Sequence, residues 1–192
     1  MSASPLAQVL ATLDSANELD PRTLVVRGSS RPFCLGEAEL ATVWLEQLRP
    51  DASDELRIAV RAHHVRRWET PRATYPDGRA GYLRWRRHLY DVHAAHAADA
   101  MRAAGYDERA IARVDSIMHK RSLGTDPEAQ AYEDALCLVF LETQFGAFAA
   151  RMEPPQLDVI VAKTLAKMSD AAKAAWEAHP QVIVAPFART RR

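Results

Sequence analysis

The segment AHHVRRWETPRATY, residues 62–75, sets the adjacent imidazoles of His63 and His64 beside the guanidinium groups of Arg66, Arg67 and Arg72. Imidazole is the usual protein ligand for a transition metal and the usual proton carrier near neutral pH. A guanidinium presents a planar fork that matches a phosphate or a carboxylate. Neighbouring residues of a helix point about 100° apart, so the sequence predicts that one histidine of the pair faces a site. The plainer alternative is a solvated arginine face with Trp68 in the core.

Further candidates follow along the chain. His88 and Asp91 lie three residues apart, as do His93 and His96, so each pair can share a helix face. Arg86, His93 and Ala100 fall on one stripe. His93 is therefore expected to point inward between helices, toward a metal, a phosphate or a structural hydrogen bond. Glu133 and Asp134 immediately precede ALCLVFL, which is apolar on every face and predicts deep burial. A buried carboxylate requires a partner, so Asp134 is expected to meet a metal, an arginine or a histidine, or to sit in a structural salt bridge. His119 is followed by Lys120 and Arg121, and Lys163 and Lys167 stand one turn apart, able to address one anion or simply to be solvated.

These residues must be positioned by helices. Leu6, Val9, Leu10 and Leu13 recur at helical spacing up to Asp20-Pro21, and Glu37–Leu48 carries the stripe Leu40, Val43, Trp44, Leu48. Residues 51–54 read as an N-cap region for a helix that runs to about Trp68. Thr23–Val26 is apolar enough for a brief extended piece, although the turn chemistry of Gly28–Pro32 weighs against a true strand. Residues 69–81, with Pro71 and Pro76, read as a loop over a pocket. Helices are expected over Tyr82–Ala104, Asp107–His119, Asp126 to about Arg151, after Pro154-Pro155 to Met168, and from Ser169-Asp170 through Trp176. Residues 178–192 read as an irregular tail. The expectation is one all-α domain over residues 1–192, without repeats or linkers.

Composition narrows the function. The 192 residues hold 25 Lys+Arg against 25 Asp+Glu, which argues against a general nucleic-acid binder or a binder of anionic membranes. The 35 alanines against 7 glycines nearly exclude an all-β fold. Cys34 and Cys137 lack metal-ligand spacing and suggest neither a zinc knuckle nor a disulfide framework, which fits a reduced cytoplasm. Residues 1–20 lack a basic n-region and are not expected to act as a secretory signal, and the longest charge-free apolar run, Ala135–Leu141, is too short to cross a bilayer. The sequence KMS at 167–169 stands without an H-I-G-H element or a nucleotide-binding α/β pattern, so synthetase activity is rejected. No G-x-x-x-x-G-K-[ST], G-x-G-x-x-G or G-x-S-x-G is present.

The ordered series H-x-x-R-W, P-R-x-x-Y-P, W-R, E-D-A-x-C-L-V-F-L-E and K-T-x-x-K-M-S resembles domain of unknown function 4202 across nearly the whole chain. That family carries no activity over. The order of motifs also resembles, more distantly, the HD-domain metal-dependent phosphohydrolases, in which helices supply a histidine, a His-Asp doublet and a later aspartate. In that comparison AHHV stands at the doublet, with His64 where aspartate is expected. No histidine precedes it, so Glu37 or Glu39 would replace the first ligand.

This second resemblance implies an HD-domain-like helical bundle in which His64, His93 and Asp134 hold a divalent ion, with His63 or Glu133 assisting catalysis. Manganese, iron, zinc or nickel would suit such mixed nitrogen and oxygen donors. Arg66, Arg67, Arg72, Lys120, Arg121, Lys163 and Lys167 would meet phosphate oxygens, and Trp68, Tyr75 or Trp85 would stack on a nucleobase. The substrate would be a nucleotide or another small phosphorylated metabolite. The rival reading is a non-catalytic helical module that binds an anionic ligand or a partner protein.

Overall fold

A computed structural model describes residues 3–146 and 150–179; of the tail expected at 178–192, residues 180–192 lie outside the described residues. Five of the helices described begin where a side-chain oxygen caps the first turn. In α1 (Pro5–Asn17) Ser4 Oγ accepts the Ala7 N–H at 3.2 Å. Ser53 does the same for α3 (Asp54–Ala62), Asp107 for α5 (Glu108–Met118) and Asp126 for α6 (Pro127–Thr143), the last reinforced by a proline at the first helical position. α2 (Phe33–Leu48) and α4 (Gly78–Ala103) complete the central set. α7 (Pro154–Leu165) and α8 (Asp170–Glu177) close the chain, the latter capped by Ser169.

Among the described residues the architecture is all-α apart from one small hairpin. β1 (Thr23–Val26) pairs antiparallel with β2 (Ser29–Pro32), Val26 opposite Ser29. This departs from the expectation of a turn without a true strand. Arg27 and Gly28 both take positive φ, +47° and +83°, the backbone of a two-residue turn whose twist suits a hairpin. Arginine at the first of these positions hides that signal. Beyond the hairpin, Asp20 accepts the Cys34 N–H at 3.1 Å and pairs with Arg22 at 2.7 Å, which fixes the entry to α2.

One core runs through the helices. α2 lies against α6 and α3, and α3 against α5, around the fully buried Trp44, Leu45, Leu56, Ile58, Met101, Ile117 and Leu138. α3 ends at Ala62, six residues short of the expected Trp68, and the chain turns sharply through Arg66, whose φ is +54°. Short 3-10 turns at Arg67–Glu69 and Arg72–Thr74 lead to α4. Gly81 is required there: a Cβ at that position would lie 1.8 Å from the Pro76 carbonyl oxygen. The last long helix, α6, ends at Thr143 rather than near Arg151. No helix among the described residues is long and apolar enough to cross a membrane.

Candidate metal centre and anion pocket

A cavity of about 460 Å³ opens between α2, α4, α6 and α7. Its volume falls within the range of about 300–1,000 Å³ typical of small-molecule sites. At one end stand Glu37 from α2 and the His63-His64 pair that follows α3, with potential ligand atoms within 4.8 Å of one another. Both histidines line the cavity, contrary to the expectation that only one would, and their ring centroids are 4.2 Å apart. The helical divergence of about 100° does not apply, because α3 stops at Ala62 and His63 is already its C-cap.

The hydrogen bonds fix which ring nitrogens remain available. His63 Nδ1 donates to the Val60 carbonyl at 2.8 Å, and His93 Nδ1 donates to the Val65 carbonyl at 2.8 Å. In a neutral imidazole, a protonated Nδ1 leaves Nε2 as a bare lone pair. His93 Nε2 is buried and has no hydrogen-bond partner among the described residues. His64 Nδ1 donates to Glu37 Oε2 at 2.7 Å, and one Arg67 guanidinium nitrogen lies 2.9 Å from its Nε2 and 3.4 Å from its Nδ1. Gln144 donates to the other Glu37 oxygen at 2.5 Å. The His93 ring centroid lies 6.0 Å from that of His64, outside the tight three-residue group but lining the same cavity.

Burial keeps these imidazoles neutral. Desolvation lowers His63 and His93 to about 3, with neighbouring cationic groups adding to the effect, and holds His64 well below its ordinary value. Burial likewise pushes the Glu37 carboxyl upward, opposed by His63, Arg67 and Gln144. Neutral imidazoles beside a carboxylate, with the Nε2 atoms of His63 and His93 bare and that of His64 met by Arg67, form a donor set suited to a divalent transition metal. Hydrogen bonding of the ligand's other atom to a carbonyl or carboxylate is the arrangement that orients metal-binding histidines. The residues therefore fit such an ion.

The rest of the wall is cationic and aromatic. Arg67 lies over Trp85, 5.0 Å from the ring centroid. Arg86 donates to the Tyr90 hydroxyl and, at 3.4 Å, to that of Tyr82; burial opposes its charge, but the two phenol oxygens raise its pKa. Lys120 and Lys167 approach Glu133, the latter at 3.6 Å. Burial disfavours the Glu133 carboxylate, yet the two ammonium groups hold its pKa below the usual value. Burial raises the Cys137 thiol to about 12, so this lining residue is a poor nucleophile.

The expected meeting of His64, His93 and Asp134 does not occur. Asp134 faces away from the cavity, accepting from Gln130 at 3.0 Å and from the Ser169 N–H at 2.8 Å. Glu39 pairs with Arg31 at the surface. Arg66 pairs with Glu69, and Arg121 with Asp115. Arg72 donates to the carbonyls of Tyr75 and Pro76, so its work is to hold the loop. Lys163 is exposed on α7, and Trp68 and Tyr75 stand outside the cavity. None of residues 68–81 lines it, so the loop buttresses the site rather than covering it; Trp85 Nε1 donates to the Thr70 carbonyl at 2.9 Å. Sequence reasoning missed Tyr82, Tyr90, Tyr132 and Gln144. The spacing Tyr82, Arg86, Tyr90, His93 marks one face of α4 and contains that signal for two of them.

The fold and the cavity together define an all-α domain with a histidine-carboxylate cluster at one end of a cationic pocket. The chain belongs to the DUF4202 family, a domain of unknown function whose sequence pattern matches residues 7–181. Comparison with curated proteins and with solved structures finds no match. The likeness to HD-domain phosphohydrolases consequently stands on motif order.

Proposed function

We propose that the protein is a metal-dependent phosphohydrolase acting on a nucleotide or another small phosphorylated metabolite. The observation that carries this reading is the cluster of Glu37, His63 and His64 in the same cavity as Arg67, Arg86, Lys120 and Lys167. The Nε2 atoms of His63 and His64 would hold manganese, iron, zinc or nickel, with Glu37 orienting His64 through its Nδ1 and His93 adjoining. When bound, such an ion acidifies a coordinated water and polarises a phosphoryl oxygen. Arg67 and Arg86 would neutralise phosphate oxygens, and Lys120 and Lys167 would meet a further anionic group. Tyr82 and Trp85 supply aromatic wall for an organic portion of the substrate. The cytoplasm is the setting we propose, supported by the buried free thiols of Cys34 and Cys137.

The test combines metal analysis of untagged protein with a phosphatase screen over nucleotides and sugar phosphates. The expected result is a bound transition metal and phosphate release that is lost on chelation and in His64→Ala. Full activity in excess chelator would overturn the reading. A second reading is favoured by one observation: Arg67 and Gln144 already satisfy His64 and Glu37. On it, the chain is a non-catalytic module that binds an anionic ligand. Thermal stabilisation by a nucleotide in chelator, lost in Arg67→Ala but kept in His64→Ala, would support this alternative.

A further inference from the structure

We propose that Arg67 competes with the metal for His64 and is handed to the phosphoryl group when the metal binds, so that metal and phosphate bind cooperatively. The inference rests on the metal site proposed above. His64 has one ring nitrogen left after Nδ1 engages Glu37, and the Arg67 guanidinium donates to it at 2.9 Å. The same guanidinium nitrogen lies 3.4 Å from Nδ1, so the cation is drawn across the imidazole, and an ion seated on Nε2 would meet it at close range. The guanidinium also carries the same sign of charge as the ion and stands in its path.

The displaced side chain has somewhere to go. Arg67 follows the left-handed turn at Arg66, lies over the indole of Trp85 and lines the open cavity. Rotation of the guanidinium off His64 while its stem remains at the cavity wall would aim its fork at a phosphate placed beside the ion. An anion there lowers the cost of displacing Arg67, and the ion frees Arg67 for the anion. Linkage then requires each ligand to strengthen the other by the same factor. Arg67 is a positioning residue for the metal and a binding residue for the phosphate.

The measurement is a Co²⁺ titration followed by visible absorption, with and without inorganic phosphate, on wild type, Arg67→Met and Arg67→Lys. Loss of a charge-assisted hydrogen bond predicts Co²⁺ binding about tenfold tighter in Arg67→Met than in wild type without phosphate. Arg67→Lys, which retains a cationic donor, should fall between them. Phosphate should tighten Co²⁺ binding in wild type and leave Arg67→Met unchanged. Equal Co²⁺ affinity in wild type and Arg67→Met, or absence of phosphate coupling in wild type, overturns the competition while leaving the metal site standing. Absence of Co²⁺ binding to all three proteins overturns both proposals. The wild-type coupling requires no variant to fold.

Discussion

Asp134 and Glu37 are both carboxylates buried in the middle of largely apolar helices, yet their surroundings leave opposite things behind. Asp134 accepts at Oδ1 from neutral donors, Gln130 from its own helix and the Ser169 N–H at the start of α8. Its partners join two helices, and among the described residues it belongs to no cluster of histidine, cysteine or carboxylate groups that could share an ion. Glu37 accepts from Gln144 and His64, but beside it stand imidazoles whose Nε2 atoms meet only the Arg67 guanidinium or, in His93, no hydrogen-bond partner among the described residues. Burial alone therefore does not mark a site. What distinguishes the functional candidate is polar capacity left over after the fold has been satisfied.

The largest expected effect is on metal affinity. His64→Ala should weaken transition-metal binding at least about 100-fold, whereas Asp134→Asn should leave it unchanged. Isothermal titration with Mn²⁺ or Zn²⁺ would make the comparison, and parallel losses in the two variants would erase it. Stability should show the reverse order. Asp134→Ala strands the Ser169 N–H and should cost about 2 kcal/mol in urea denaturation, while phosphate and metal binding persist in the folded fraction. A loss under about 0.5 kcal/mol would show that α8 is not anchored there.

Acid provides the next test. The folded pKa values of His63 and His93, about 3, lie below the ordinary 6.5, so the unfolded chain binds more protons between those values. Their contribution is complete above about pH 6.5 and declines as pH falls toward 3, by up to about 1.4 kcal/mol per pH unit for each imidazole. Denaturation midpoints measured from pH 7 to 5 should fall accordingly in the metal-free protein, and His93→Leu should flatten the slope by up to one proton. A slope unchanged in that variant would mean His93 is not held neutral by the fold. The smallest effect belongs to Lys167, half exposed at 3.6 Å from Glu133. Lys167→Ala should change stability by less than about 0.5 kcal/mol, with phosphate affinity, read by titration, reduced a few-fold.

Much of the scaffold was legible because helix signals are local. Ser53, Asp107, Asp126-Pro127 and Ser169 announce caps, and each caps a helix. His93 was legible as inward-facing from its stripe on α4, and it is buried. The choice between Glu133 and Asp134 was not, because ALCLVFL is apolar all round and its periodicity carries no face. The structure turns Glu133 to the cavity and Asp134 to α8. The His63-His64 geometry was hidden for a different reason: α3 ends one residue earlier, and the left-handed Arg66 that completes the turn leaves no glycine to announce it.

The central claim is that the Nε2 atoms of His63 and His64, the latter oriented by Glu37, converge on a transition metal. Anomalous diffraction from crystals grown with Mn²⁺ tests it directly. The account predicts a single strong peak among those three residues, with the Arg67 guanidinium withdrawn from His64. A peak beside Asp134, or crystals saturated with Mn²⁺ that show none at the Glu37–His63–His64 cluster, would contradict it.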